Sequence, residues 1–460
     1  MALDFSPVSI EKLFTWILRE EKDGEIFGVP QELFFKASKN DPYRFDRYGV
    51  TLESPIGVAA GPHTQMAQNL VLAWLCGARY LELKTVQTLD ELNVARPCID
   101  MQDEGYNCEW SQELKLHQSY HEYLNAWIII HALRHKFGLH DDENFGCIFN
   151  MSVGYNLEGI LKENVQEFLH KMQNCGDDLA ERVEILSKLY PAIKDIKIPD
   201  CMSDNITLST MHGCPPDEIE KIAKYLMEER KYHTAVKLNP TLLGAKELRS
   251  ILNEQLGFDT NVPDEAFGHD LKYPDAVKII KSLTDSAQKS GVDFGLKLTN
   301  TLESVNHKDV FPTSEKMMYM SGRALHPISI NVANKLQTEF DGQLDISFSA
   351  GIDCFNVAKS VACGLKPLTV SSDVLKPGGY GKLSQYLEEL QAEMEACEAN
   401  SIDDFILKSA GATGDVKKAA LANLQKYAEQ VRNQKAYQRA TKKSETIKTK
   451  RNLDLFDCIK

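Results

Sequence analysis

The chain has 460 residues and a mass of 51.8 kDa, with 43% apolar and 26% charged residues. These values are typical of a globular protein with a sizeable core, and they exclude a collagenous or low-complexity chain. The formal net charge of −14 disfavours general binding to nucleic acids or anionic lipids. Residues 417–451 are an exception, since they hold eleven Lys or Arg and two Glu, and we interpret them as a solvated helical linker.

The eleven cysteines are scattered singly, and none forms the CxxC pair that is typical of metal and iron–sulfur sites. An odd number of scattered cysteines in a large chain is typical of a protein in a reducing compartment. The N-terminus lacks the basic and apolar regions of a signal peptide, and no apolar run reaches the length of a membrane span. The sequence therefore predicts a cytoplasmic protein without membrane segments.

Eight short apolar runs end in small or polar residues, and they have the length and composition of buried parallel strands. They are Ile56–Gly61, Tyr80–Thr85, Cys147–Ser152, Asn205–Ser209, Thr234–Asn239, Phe294–Asn300, Asp345–Gly351 and Pro367–Ser372. Stretches of helical period separate the runs, so the sequence predicts an α/β fold, a (β/α)8 TIM barrel with helical insertions. A doubly wound open sheet is the alternative, but no GxGxxG motif follows the first run.

In such a barrel the chemistry lies at the carboxyl ends of the strands. Three runs carry a lysine, Lys84, Lys237 or Lys297, whose burial would require an anionic partner. The seventh and eighth runs end in small residues, which let backbone N–H groups approach a phosphate. Such a site fits a phosphate-bearing cofactor, and it also fits a class I aldolase in which Lys237 or Lys297 forms a Schiff base with a sugar phosphate.

Several segments resemble the FMN-binding barrel of dihydroorotate and dihydropyrimidine dehydrogenases, from about Thr51 to Leu390. SPIGVAAGPHT, LKT, VKLNPT and LTNT resemble its flavin-ring segments, and SGRALHP, SAGID and TVSSD resemble its three phosphate-binding segments. Longer segments, such as AAGPHTQMAQN and TLSTMHGCPPDEIE, resemble the N-terminal part of the bacterial family named "putative selenate reductase subunit". Genes of that family are also found with anaerobic purine-degradation genes.

The resemblance implies an FMN cofactor and assigns residues to it and to the substrate. Lys84 and Lys237 would position and tune the flavin ring. The full cofactor set is Ala60, Gly61, Lys84, Thr85, Lys237, Thr299, Ser321, Gly322, Ala350, Gly351, Ser371 and Ser372. The substrate set is Asn150, Asn156, Thr207, Asn239, Asn300 and Thr301. The pyrimidine enzymes carry an Asn at the position of Thr207, and the change leaves room for an oxopurine.

Dehydrogenases of this superfamily place an acid/base Cys or Ser after the fourth strand. By position Thr210 falls there, while Cys214 lies four residues further on and His212 lies between them. A thiol has a pKa closer to neutral than a hydroxyl, so we favour Cys214, with Thr210 and then His212 as alternatives.

The resemblance also suggests the domain organisation. We expect a helical and extended segment over 1–50, the FMN barrel over 51–400, and a basic helical extension over 401–460. Related chains continue into a 4Fe–4S domain and a module for FAD and NAD(P)H. The resemblance therefore implies that Cys458 would be the first ligand of the cluster. A missing domain or a partner subunit would supply the 4Fe–4S cluster, FAD and NAD(P)H. The acidic segment Cys98–Trp110 is expected to form a substrate lid or a subunit contact.

The predicted function is an FMN-dependent oxidoreductase that exchanges a hydride with a nitrogen heterocycle, an oxopurine or a pyrimidine. A non-catalytic subunit of a reductase complex is a further alternative. The sequence does not determine the oligomeric state, and a homodimer is one alternative.

Overall fold

The computed structural model of the chain describes residues 6–89, 98–101, 104–108, 113–139, 144–209, 212–306 and 310–440. Eight parallel strands of these residues close into a barrel. In chain order they are β1 (Ile56–Val58), β2 (Tyr80–Glu82), β3 (Ile148–Val153), β4 (Asn205–Ser209), β5 (His233–Leu238), β6 (Phe294–Leu298), β7 (Ile346–Phe348) and β8 (Leu368–Val370). Strand β8 pairs in parallel with β1, which closes the barrel. The predicted (β/α)8 fold is confirmed, and the open-sheet alternative is wrong.

Helices follow the strands and cover the barrel. The main ones are Ala67–Leu75, Leu116–Phe137, Glu163–Gln173, Gly176–Ser187, Pro216–Lys224, Ala245–Arg249, Tyr273–Ser290, Leu325–Glu339, Val357–Ala362 and Lys382–Ala396. Because helices cover the sheet on its outer side and side chains fill its centre, every residue of β3 is buried. Nowhere in the described ranges is a helix both long and apolar enough to cross a bilayer.

The N-terminal segment is helical and extended, and it packs beside the barrel. Its helix Ile10–Glu20 buries Leu13, Phe14 and Ile17, and it contacts the helix Gly176–Ser187. Two short antiparallel hairpins follow, Glu25–Ile26 with Val29–Pro30 and Phe45–Arg47 with Val50–Leu52.

The residues that follow the barrel pack against it as far as the structure describes them, so 416–440 are not a solvated linker. The helix Ile402–Ala410 is followed by Val416–Val431, which packs on the helix Leu325–Glu339. The second helix buries Leu424 and Tyr427, and this apolar face explains why a stretch with many basic residues still docks. Cys458 lies outside the described residues.

A four-stranded antiparallel sheet lies at the carboxyl end of the barrel. Its strands, in spatial order, are Leu302–Val305, Met317–Ser321, Gly105–Asn107 and Ile99–Asp100. The sheet joins the connection after β2 to the connection after β6, so it brings together segments that are about 200 residues apart in the chain.

Candidate active site

A cavity of about 970 Å³ opens at the carboxyl ends of the barrel strands, where this fold places its active sites. All twelve residues that the resemblance assigned to the cofactor line this cavity. The four-stranded sheet supplies part of the wall through Ile99, Asn107, Glu303 and Tyr319. The described part of the acidic segment Cys98–Trp110 therefore lies on the cavity.

One end of the cavity is a cradle of small residues. Gly322 and Gly351 both have left-handed backbone conformations, with φ of 76° and 57°. A Cβ atom on Gly322 would lie 3.2 Å from the backbone nitrogen of Gly105, and one on Gly351 would collide with the carbonyl oxygen of Gly322. The hydroxyls of Ser321 and Ser372 lie 2.9 Å apart. This cradle suits a phosphate group, since its backbone can approach an anion without obstruction by side chains.

Arg323 adds positive charge at this end, and the sequence interpretation missed it. The residue lines the cavity, and its buried side chain donates from Nη1 to the carbonyl oxygens of Ala436 and Gln438, at 2.9 Å each. Lys376 also lines the cavity. The motif SGRALHP contains Arg323, but only its Ser321 and Gly322 were assigned to the cofactor from the sequence.

The cavity is also lined by the two lysines that were assigned to the flavin ring, Lys84 and Lys237. Burial, and then the nearby charge of Lys237, lower the pKa of Lys84 to about 7. Burial also lowers the pKa of Lys237, although the Glu82 carboxylate opposes that shift. A bound group with an electron-rich or anionic edge would be stabilised here, because it would restore the favourable charged state of both lysines.

The third strand lysine, Lys297, lies in the barrel centre. It is fully buried, and it donates to the Glu82 carboxylate and to the Thr369 hydroxyl. The other oxygen of Glu82 accepts the backbone N–H of Ala60 at 3.2 Å. Lys297 is absent from the described residues that line the cavity, so its predicted role as a Schiff-base lysine is not supported.

Two of the six predicted substrate residues, Asn300 and Thr301, line the cavity. Asn239 lies behind them, where its Oδ1 accepts a 2.6 Å hydrogen bond from Asn300 Nδ2. It is absent from the described lining, so we correct its role from substrate binding to positioning Asn300.

The other three predicted substrate residues also lie away from the described lining. Thr207 donates to Asn150 Oδ1 at 2.7 Å, and Asn150 donates to Asn205 Oδ1 at 2.8 Å, so these side chains satisfy one another inside the barrel. Asn156 caps the short helix Leu157–Ile160 by accepting the N–H of Gly159 at 2.9 Å. The change to Thr207 therefore says nothing about the size of the substrate.

Among the acid/base candidates, His212 lines the cavity and Cys214 does not belong to the described lining. Burial, followed by the charges of Glu218 and Asp217, raises the pKa of Cys214 to about 11. The structure thus does not support our preference for Cys214. Thr210 lies outside the described residues.

His212 belongs to a cluster that the sequence did not predict. Its Nδ1 lies 3.1 Å from Asp270 Oδ1 and 3.7 Å from Glu303 Oε2. Glu303 in turn lies 3.0 Å from Nε2 of His269. The ring of Tyr319 stacks on His212, with 5.3 Å between centroids. This group of two imidazoles and two carboxylates could transfer protons or hold a metal ion.

Comparisons with a family model and with curated proteins point to the same family of oxidoreductases. A family model described as "Oxidoreductase YgfK, N-terminal TIM-barrel domain" matches residues 27–439. Two curated relatives named "Putative oxidoreductase YgfK", from Escherichia coli strain K12 and Escherichia coli O157:H7, are each 43% identical over 406 residues. These matches cover 84% of this chain and 39% of each relative, so the chain spans about two fifths of their length.

The fold is shared with a solved structure. The crystal structure of DHODH from Eimeria tenella in complex with ferulenol superposes with a TM-score of 0.50 at 16% identity, over 88% of this chain and 96% of that one. At this identity the likeness concerns the fold alone. The family match over 27–439 and the 43% identity show that the chain belongs to the YgfK family of oxidoreductases, in the part that forms the N-terminal TIM-barrel domain.

Proposed function

We propose that this chain is the flavin-binding catalytic domain of an FMN-dependent oxidoreductase, which transfers a hydride between the flavin and a nitrogen heterocycle. One observation carries the proposal. A single cavity is lined both by a small-residue cradle with Gly322, Gly351 and Ser372 and by two lysines, the buried Lys84 and the half-buried Lys237. A mononucleotide with a phosphate and an electron-rich ring edge fits this pair of features.

The residues of the chain would divide the work of binding between the cradle and the two lysines. The backbone at Gly322 and Gly351, with Arg323 nearby, would hold the phosphate. Lys84 and Lys237 would stabilise negative charge on the ring. FMN, when bound, supplies the ring that accepts or donates the hydride.

The substrate would lie against the wall that carries Asn300, Thr301 and His212. Asn300 is held in place by its hydrogen bond to Asn239, and an amide side chain can both donate to and accept from the alternating N–H and C=O edge of a pyrimidine or oxopurine. His212, or Thr210 on the same loop, would supply or remove the proton that accompanies the hydride. The wall therefore suits a nitrogen heterocycle better than a simple hydroxy acid.

We also propose that electrons reach this domain from a 4Fe–4S and FAD module, which oxidises NAD(P)H and lies in another part of the relatives' longer chains or in a partner subunit. Support comes from the 39% of the relatives' length that this chain spans and from the absence of a GxGxxG motif after the first strand. Dithionite can replace such a donor in the assay.

The test is to express the chain and identify any released flavin by chromatography. The refolded or native protein is then titrated with FMN and FAD, reduced with dithionite without oxygen, and mixed with oxopurines, pyrimidines and, as the oxidant named for the resembling family, selenate. We expect FMN binding and flavin reoxidation by a heterocycle. A protein that binds no flavin, but forms a borohydride-trapped adduct with a sugar phosphate at Lys237, would favour the aldolase instead.

A further inference from the structure

We propose that His212, His269 and Glu303, with Asp270 beside them, form a site for a divalent transition-metal ion of the Zn²⁺ class on the wall of the cavity. The proposal goes beyond the flavin chemistry, and the ion would bind whether or not the cavity holds a flavin. With the ion bound, His212 is a ligand, and the proton transfer proposed for it falls to a water on the ion.

The ligand atoms of His212, His269 and Glu303 all lie within 4.8 Å of one another, and Asp270 lies beside the two imidazoles. Nδ1 of His212 lies 3.1 Å from Asp270 Oδ1, which lies 3.8 Å from Nε2 of His269. That nitrogen lies 3.0 Å from Glu303 Oε2, which is 3.7 Å from Nδ1 of His212. Zinc bonds of 2.0–2.2 Å in a tetrahedron separate neighbouring ligand atoms by about 3.3–3.6 Å, so small side-chain movements would let His212, His269 and Glu303 hold the ion and leave a fourth position open.

The charges of the cluster also fit a divalent ion. Asp270 and Glu303 have side chains that are only 1% and 10% exposed, so two carboxylates are largely removed from water. Such carboxylates need positive charge beside them, which either two protonated imidazoles or one metal ion would provide. With neutral imidazoles, a 2+ ion balances the pair of carboxylates completely.

Neighbouring residues orient the ligands as outer-shell groups do at metal sites. Thr241 donates to Asp270 Oδ2 at 2.7 Å, and this bond leaves Oδ1 facing the imidazoles. The ring of Tyr319 lies at 30° to that of His212 and restricts its rotation. The first contact fixes the carboxylate beside His212, and the second fixes His212 itself.

The barrel fold explains both how the ligands meet and what the ion could reach. His212 follows β4, His269 and Asp270 follow β5 at the end of the helix Asp264–His269, and Glu303 lies on the strand after β6. His212, His269 and Glu303 all line the cavity. An ion held there could contact a polar atom of the substrate and act as a Lewis acid on it.

The experiment measures metal and flavin in the same samples of the full chain. The purified protein is treated with chelator, dialysed against Zn²⁺, and analysed by mass spectrometry of the elements, and Zn²⁺ affinity is measured by calorimetry. We expect about one Zn²⁺ per chain, and an affinity that falls at least ~10-fold in His269→Gln and in Glu303→Gln. Co²⁺ added to the wild type should give visible absorption bands of a nitrogen and oxygen site, which Zn²⁺ then removes.

The control is His170→Gln, which changes an exposed histidine on the helix Glu163–Gln173 and should leave Zn²⁺ binding unchanged. Wild-type protein that binds no Zn²⁺ and gives no Co²⁺ bands would overturn the proposal, as would equal affinity in the wild type and both cluster variants. The Co²⁺ measurement needs no variant, so it stands even if a substitution prevents folding. Flavin content in the same samples reports on the proposed function separately.

Discussion

Glu82 on β2 and Lys297 on β6 form an ion pair across the barrel centre, on strands that lie on opposite sides of the ring. Both side chains are buried, and the second oxygen of Glu82 holds the backbone N–H of Ala60 on the cavity floor. The pair thus links the packed interior of the barrel to the loop after β1, which lines the proposed flavin site.

Removal of one partner of this pair should be costly, and removal of both should cost less. Lys297→Met would leave the Glu82 carboxylate buried without its cation, so we expect a loss of about 3–5 kcal/mol in the free energy of unfolding. The double variant Lys297→Met/Glu82→Gln should recover part of that loss. Urea denaturation measures both, and Lys278→Met, at an exposed ion pair with Asp275, is the control for loss of a lysine. Additive losses would show that the two residues do not interact.

The phosphate cradle should depend on Gly351 for space as well as for conformation. Gly351→Ala puts a Cβ against the carbonyl oxygen of Gly322 in a left-handed backbone, so FMN affinity should fall at least ~10-fold. Gly291→Ala is the matched control, because Gly291 also has a positive φ of 69° but has open space around it. Fluorescence titration with FMN compares the two, and an equal effect of both changes would contradict the proposed cradle.

Lys237 should tune the flavin more than it stabilises the fold. Loss of a cation near the ring edge removes stabilisation of the anionic reduced form, so Lys237→Met should lower the midpoint potential by roughly 30 mV for each ~1.4 kcal/mol of lost interaction. Spectroelectrochemistry of the loaded protein gives the potential. A variant that keeps FMN at the wild-type potential would exclude the assigned role.

The loop after β4 should tolerate a change at Cys214 and not at His212. Cys214→Ser should turn over close to the wild-type rate, because the thiol lies away from the described lining and its pKa is raised to about 11. His212→Asn should slow turnover by ~10²-fold or more, as expected for loss of a group at the site of proton transfer. Single-turnover reoxidation of the reduced flavin measures the chemical step, and a dead Cys214→Ser enzyme would restore the thiol as the acid.

A buried glutamate should make stability depend on pH. Burial raises the pKa of Glu122 to about 7, against the effect of the N–H of Ala67 that it accepts at 2.7 Å. Between pH 4.5 and 7 the folded chain keeps a proton that the unfolded chain has lost, so stability falls as pH rises through this window. Glu122→Gln should therefore be more stable than the wild type at pH 8, by about 2–3 kcal/mol, and nearly equal at pH 4.5.

Urea denaturation at the two pH values measures this effect. Glu393→Gln, an exposed change on the helix Lys382–Ala396, should show no such difference between pH 4.5 and pH 8. A wild type whose stability rises between these values relative to Glu122→Gln would give the opposite sign and refute the assignment.

The barrel could be predicted because each strand carries its own signal. Burial on both faces produces continuous apolar runs, and the cradle residues Gly351 and Ser372 follow β7 and β8 within a few positions, so local sequence was sufficient for them. The polar residues within strands were harder to assign. Thr207 and Asn150 are only a few positions from the strand ends, yet they lie inside the barrel, where each satisfies the other.

The His212 cluster could not be predicted from local patterns. His269, Asp270 and Glu303 come from connections after β5 and β6, and only the tertiary path of those connections brings them to His212. The segment that docks after residue 416 was misread for a different reason. Its basic composition dominated the interpretation, although its apolar residues recur with helical spacing.

The hydrogen bonds between the C-terminal segment and the phosphate loops have a practical consequence for the size of the working unit. His326 connects the carbonyl of Ala350 to the hydroxyl of Tyr427, and the side-chain amide of Asn356 donates both to the carbonyl of Gly351 and to the hydroxyl of Tyr437. A protein trimmed to its eight strand–helix units at residue 400 would keep every cradle residue and lose the groups that hold two of them in place. The smallest piece that preserves the proposed mononucleotide site therefore includes Tyr427 and Tyr437.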